Sequence, residues 1–286
     1  YNTDGAKITT LKNTGITIPT PTTANVCAVF NYGGTITTMD TCTVTGNSGI
    51  NNRNKRGSNT IAQGYNIAHY GTIGTIKDTN VNVGMYALYN GGKITTLTGS
   101  TFTASPASAQ VPWSSGTAAL NGNSVHAYTV VNSNLWWYDS AVWKRTDTTV
   151  KNGDTTMLQR RVDEYKTEDT YKPSIGTITD CTITANNTST SNSYGYFALQ
   201  NLGVINTING NTSITAQKHP NNAKTVYGYY AMRNEAGGKV GSIGSGVTIN
   251  AYNYALANIG ARYSQTDTTY STTYLKSGAL NSGGLA

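Results

Sequence analysis

The chain has 286 residues, of which 37% are hydrophobic and only 12% charged, a balance that suits secreted or surface β proteins and argues against a helical cytosolic enzyme. Its formal net charge is +7, but charged residues of both signs crowd between Lys144 and Lys172. No basic stripe runs along the chain, so no nucleic-acid partner is expected. No run is apolar enough over sufficient length to span a membrane, and none has the make-up of a signal peptide, so no membrane insertion is expected.

The first element sets a pattern. Ile8 and Leu11 stand three positions apart, Thr10 precedes the second of them, and Ile16 follows about five residues on. The same block returns with Ile36/Met39 and Val44, Ile73/Ile76 and Val81, Ile94/Leu97 and Phe102, Ile175/Ile178 and Ile183, Ile205/Ile208 and Ile214, and Val240/Ile243 with Val247 or Ile249. A hydroxyl residue holds the Thr10 position every time, at Thr38, Thr75, Thr96, Thr177, Thr207 and Ser242. Upstream of most blocks, an aromatic-Ala-apolar run ends in Asn, as at Asn31, Asn90, Asn201, Asn234 and Asn258, with Gly close behind. Recurrence at fixed offsets is a repeat signal. The short alternating runs broken by Asn and Gly predict strand, turn and strand, and nothing in the block has helical spacing. One block cannot bury its own apolar row, so successive blocks must stack in register as parallel strands, with Asn laddering at the turns. The expected fold is all-β: a right-handed parallel β-helix (β-solenoid) with one large insertion, spanning 1–286 as a single domain. About eight coils would make a rod of about 35–40 Å.

In chain order, residues 1–26 give a partial coil ending in Pro19-Thr-Pro21. Tyr1-Asn2 aligns with Tyr89-Asn90, so this coil starts mid-repeat, as in a processed chain or an excerpt of a longer one. After the second coil, Cys27 to Thr45, the stretch Asn51-Asn-Arg-Asn-Lys-Arg56 reads as a solvated polar loop. A Ser/Ala/Pro loop with Trp113 covers 105–124. The fifth coil opens at His126–Asn132, is interrupted over 133–172, and resumes at Ser174. The interrupting stretch holds Trp136, Trp137, Tyr138 and Trp143 beside Lys144 and Arg145, and Met157, Leu158, Val162 and Tyr165 could face one way on a short helix. Two further coils follow, and Tyr254–Gly260 fades into a tail, 262–286, expected to cap the stack or link onward.

Few residues carry chemistry. Cys42 and Cys181 share one repeat position in well-separated coils, too far apart to bridge, and a Cys27–Cys42 pairing has nothing to support it. His69, His126 and His219 are dispersed without ligand spacing, and His69 and His126 fall near the aromatic-Ala positions, where they are expected to pack or hydrogen-bond. No metal or cofactor is implied. Asp163-Glu164 point apart on any regular element and balance Arg160 and Arg161. Asn2-Thr3-Asp4-Gly5 is similar in letters to one motif of the polygalacturonases, β-helix enzymes that hydrolyse with carboxylates paired across coils. No Asp-Asp pair, Gly-His-Gly or Arg-Ile-Lys accompanies it, so no catalytic residues are assigned. Two features remain for binding. Trp136, Trp137, Tyr138, Trp143, Lys144 and Arg145 suit a glycan or protein contact, or alternatively a small satellite core under the insertion. Thr43/Thr45, Thr101/Thr103, Thr182/Thr184 and Ser213/Thr215 form a double rank of outward hydroxyls, interrupted by Asn80/Asn82 and Gly15. Arrays of this kind occur on ice-binding solenoids, but Thr is also a good strand residue on a wet face.

The strings Asn90-Gly-Gly-Lys-Ile-Thr-Thr-Leu97 and Gly71-Thr-Ile-Gly-Thr-Ile76 resemble the degenerate repeats of β-helical passenger domains in bacterial autotransporter adhesins and related bacterial surface β-helix proteins. The resemblance covers most of 1–260 outside 133–172. It implies a non-enzymatic rod, extracellular or at the cell surface, contacting host or neighbouring-cell glycans or surface proteins. End-to-end self-association, as the subunit of an extracellular filament, is the alternative.

Overall fold

The computed structural model describes residues 1–19, 26–56, 67–84, 86–105, 125–132, 173–186, 194–201, 203–217, 229–234, 238–252 and 254–258. Among these residues there is no helix, and the chain visits three parallel sheets in turn, over and over. This is the architecture of a β-solenoid. The first sheet has eight strands, from Asn2–Thr3 through Cys27–Tyr32, Ser48–Arg53, Leu88–Gly91, Val125–Asn132, Tyr194–Asn201 and Tyr229–Asn234 to Tyr254–Asn258. The second has seven, from Lys7–Lys12 to Lys239–Ile243, and the third seven, from Gly15–Thr17 to Thr248–Ala251.

Each apolar offset in the sequence becomes one column. Ile8, Ile36, Ile73, Ile94, Ile175, Ile205 and Val240 are successive partners across the second sheet. Leu11, Met39, Ile76, Leu97, Ile178, Ile208 and Ile243 make a second column on the same strands. Ile16, Val44, Val81, Phe102, Ile183, Ile214 and Ile249 form the third column, on the third sheet. That register selects Ile249 over Val247. From Ile36 to Ile214 these side chains are essentially inaccessible to solvent and make one continuous core. Like side chains stack on like, so each winding fills the space left by its neighbours.

The corners explain the polar part of the repeat. Asn2, Asn31, Asn52, Asn90, Asn132, Asn201, Asn234 and Asn258 are successive partners along the first sheet. Asn31 Nδ2 donates to Asn52 Oδ1 at 2.7 Å, Asn52 Nδ2 to Asn90 Oδ1 at 2.8 Å, and Asn201 Nδ2 to Asn234 Oδ1 at 2.8 Å. The same amides donate to carbonyls at the start of the second sheet, such as Thr35 O from Asn2 and Ser174 O from Asn90. Thus a turn that would bury bare backbone groups is satisfied from inside. At the next corner, Asn13, Thr41, Asp78, Gly99, Asp180 and Gly210 all adopt left-handed φ, between 47° and 61°. Most are Asn, Asp or Gly, the residues that accept this geometry at least cost.

Two expectations need correction. Asn51–Arg56 is not simply a solvated loop: Ser48–Arg53 is a strand of the first sheet, and Asn51, Asn52 and Asn54 are buried. Asn52 belongs to the Asn column, so its polarity reflects an internal hydrogen-bond site. His69 does not pack at an aromatic-Ala position. It is exposed in Ile67–His69, which pairs antiparallel with Lys55–Arg56 in a small separate sheet. The two strands lie over the first turn of the chain: Lys55 Nζ pairs with Asp4, and the His69 ring stands beside Gly5. Cys27, Cys42 and Cys181 are all free. Cys42 and Cys181 lie in one buried hydroxyl and thiol column with Thr79 and Ser100 between them, where Cys42 N reaches Thr79 Oγ1 and Thr79 N reaches Ser100 Oγ.

Candidate functional site

Trp136, Trp137, Tyr138, Trp143, Lys144 and Arg145 lie outside the described residues, as do the tail 262–286 and the helix expected around Met157. The residues on either side of 133–172 are described, and both are paired within the stack. Asn132 pairs with Asn90 and Ser174 with Lys93. In the preceding winding the same corner, between Asn90 and Lys93, is crossed by Gly91 and Gly92.

This asymmetry is general. Passages from the second sheet to the third are short in every winding, the longest running from Ile243 to Thr248. The long passages, Arg53 to Thr72, Ala104 to Val125, Asn132 to Ser174 and Gln217 to Tyr229, all leave or enter the first sheet. Insertions tolerated on one side of a solenoid collect its distinctive surface there. The first-sheet side is the candidate functional face.

The outward side of this sheet is itself unusual. One column carries Cys27, Ser48, Phe197, Tyr230 and Tyr254, and another carries Phe30, Asn51, Tyr89, Gln200 and Arg233. Phe197 stacks on Tyr230 at 5.1 Å and Tyr230 on Tyr254 at 4.8 Å, while the Arg233 guanidinium sits 5.1 Å from the Phe197 ring. Farther along, Arg53 lies 4.6 Å over the Tyr89 ring, and Asn51 Nδ2 donates to Tyr86 Oη at 3.1 Å. Tyr86, Tyr89, Asn51 and Phe197 are each less than 5% exposed although none belongs to the inner core. Burial pushes the Tyr86 and Tyr89 hydroxyls well above their ordinary range. It also raises the Cys27 thiol, against the opposing pull of Arg53. These groups stay protonated at neutral pH, so Cys27 is no activated nucleophile. In the sequence these residues appear singly, as the aromatic of the aromatic-Ala-apolar run, within Asn51–Arg56 or as Cys27, and not as one group. The available signal was the alignment of Ile50-Asn51-Asn52 with Leu88-Tyr89-Asn90.

Elsewhere the chemistry is structural. The Thr41 hydroxyl donates to Asp40 at 2.8 Å, and Lys77 and Lys12 approach it at 3.9 and 3.6 Å. That hydrogen bond first, and the two cations after it, hold the Asp40 carboxyl below its usual range. Asp4 and Gly5 both take positive φ, 57° and 75°, so the letters shared with a polygalacturonase motif serve a turn. Among the described residues no group of His, Cys, Asp and Glu could hold a metal ion, and no helix is long and apolar enough to cross a membrane. No protein-family model matches the chain, and neither a curated protein nor a solved structure does.

Proposed function

We propose that this protein is a non-enzymatic extracellular or cell-surface rod, a right-handed β-solenoid of about eight windings, that contacts glycans or surface proteins through its first-sheet side. One observation carries this reading: every long passage of the chain flanks the first sheet, while the corner between the other two sheets is kept minimal in every winding. A scaffold that fixes one side and varies the other presents a contact surface on the varied side. In this reading 133–172 is a lateral insertion. Trp136, Trp137, Tyr138 and Trp143 supply faces that stack on sugar rings or fill a partner's pocket, and Lys144 and Arg145 pair with acidic groups. The test is to replace 133–172 with the short Gly crossing used one winding earlier. Binding to a glycan array and to cells should be lost while the circular dichroism of the rod is retained. Undiminished binding by the folded deletion would overturn the assignment.

A further inference from the structure

The third sheet presents a face of a different kind. Outward of its apolar column run two ranks of side chains, held in register by the pairing. The first rank reads Gly15, Thr43, Asn80, Thr101, Thr182, Ser213, Thr248, and the second Thr17, Thr45, Asn82, Thr103, Thr184, Thr215, Asn250. Neither rank holds a charged or aromatic residue, in a chain of net charge +7. The ranks form a grid, with about 4.8 Å between strands and about 6.7 Å between alternate residues along each strand. Thr is stiff at χ1, so hydroxyl and methyl keep nearly fixed positions on that grid. The Thr17 and Thr45 hydroxyls, 2.9 Å apart, already pair along the axis. The corner at which the chain enters this sheet is short in each winding, and the long passages after Ala104 and Gln217 leave from its opposite edge.

A ligand for such a face must be neutral, able to hydrogen-bond, and periodic in two dimensions. Without aromatic platforms the face has nothing on which sugar rings stack. Without cations it has nothing to hold a polyanion or a lipid headgroup. A neutral grid of hydroxyls and methyls that repeats in both directions fits an ordered water lattice, whose every repeat adds another contact once the first is in register. We propose that the outer face of the third sheet binds ice. This is independent of the contact surface proposed for the first-sheet side.

The intact protein is tested by slow growth of an ice hemisphere from dilute solution, with ice-recrystallisation assays in parallel. The wild type should enter the ice and restrain recrystallisation. The double variant Thr103→Lys, Thr184→Lys, which puts two cations at the centre of the grid, should be excluded like a bystander protein. A matched pair on the second sheet, Thr96→Lys and Thr177→Lys, should behave as wild type, and so should the 133–172 deletion. Circular dichroism melts establish that each variant is folded. If the double lysine variant unfolds, Thr103→Val with Thr184→Val, which keeps volume and strand preference, replaces it and should weaken incorporation measurably. Exclusion of the wild type from ice overturns the proposal. So does equal incorporation of folded third-sheet and second-sheet variants, or retention on crystalline polysaccharide without entry into ice.

Discussion

Asn52 offers the sharpest test of how the windings are joined. Its side chain is fully buried, accepts from Asn31 Nδ2 at 2.7 Å, and donates to Asn90 Oδ1 at 2.8 Å, with Gly71 O and Lys93 O at 3.2 and 3.3 Å. In Asn52→Ala the neighbours keep second partners: Asn31 still reaches Gly34 O, and Asn90 Oδ1 still accepts from Gly92 N. The loss is then about two buried hydrogen bonds and a small void, about 2–4 kcal/mol, out of a total that for a domain is about 5–15 kcal/mol. Asn52→Asp should be worse at neutral pH, because a buried carboxylate would face Asn90 Oδ1 and two carbonyls with no proton to give. Its folded pKa must lie above the unfolded value near 4, so its deficit should shrink as pH falls towards that value and grow as pH rises. Urea titrations followed by circular dichroism, with amide exchange at Thr72 and Lys93, measure both. Exposed Asn206→Ala is the control, expected to change stability by less than about 0.5 kcal/mol. A loss for Asn52→Ala no larger than that of the control would refute the claim that the Asn column holds the corner.

Two glycines make a contrasting pair. In Gly92→Ala the new Cβ would lie 2.2 Å from Gly71 O and 2.9 Å from Asn52 Nδ2, so backbone must shift, at a cost of about 1–3 kcal/mol. In Gly15→Ala the Cβ meets nothing within 4 Å, and thermal melts should show no loss. Burial pushes the Cys181 thiol up from its ordinary value of 9.0 to about 11. The unfolded chain ionises there first, so folding should weaken as pH rises from 9 to 11, by about 2 kcal/mol from this group. Melts of the wild type across that range should slope more steeply than those of Cys181→Ser. Thiol-reactive reagent at pH 8 should find Cys42 and Cys181 unreactive in the native protein and reactive in denaturant, and mass spectrometry without reductant should find no disulfide.

The apolar columns were legible because a stacked coil has one inward geometry per position, which the sequence must repeat at constant offset. Ile36, Ile73, Ile94 and Ile205 could therefore be placed without coordinates. Polar positions were harder. Asn52 sits among Asn51, Arg53, Asn54 and Lys55, and nothing local separates an amide buried by its neighbours in the stack from one dissolved in water. The outward face of the first sheet escaped for a related reason. Cys27 and Ser48 stand where Phe197, Tyr230 and Tyr254 carry the aromatic of the aromatic-Ala-apolar run, so the repeated letter marked only the later windings of that column. His69 was misplaced because its strand pairs antiparallel outside the repeat, with Lys55–Arg56, and so follows no offset.

Oxidative cross-linking of Thr96→Cys with Thr177→Cys tests the stacking most directly. These residues are partners in adjacent strands, about 4.8 Å apart by strand spacing, although the stretch 133–172 lies between them in the chain. Made in a background lacking the natural cysteines, the pair should close into a disulfide under mild oxidant, while Thr96→Cys with Thr207→Cys, one strand farther, should not. Failure of the first pair, or equal closure of both, would contradict a chain that returns to the same column after each winding.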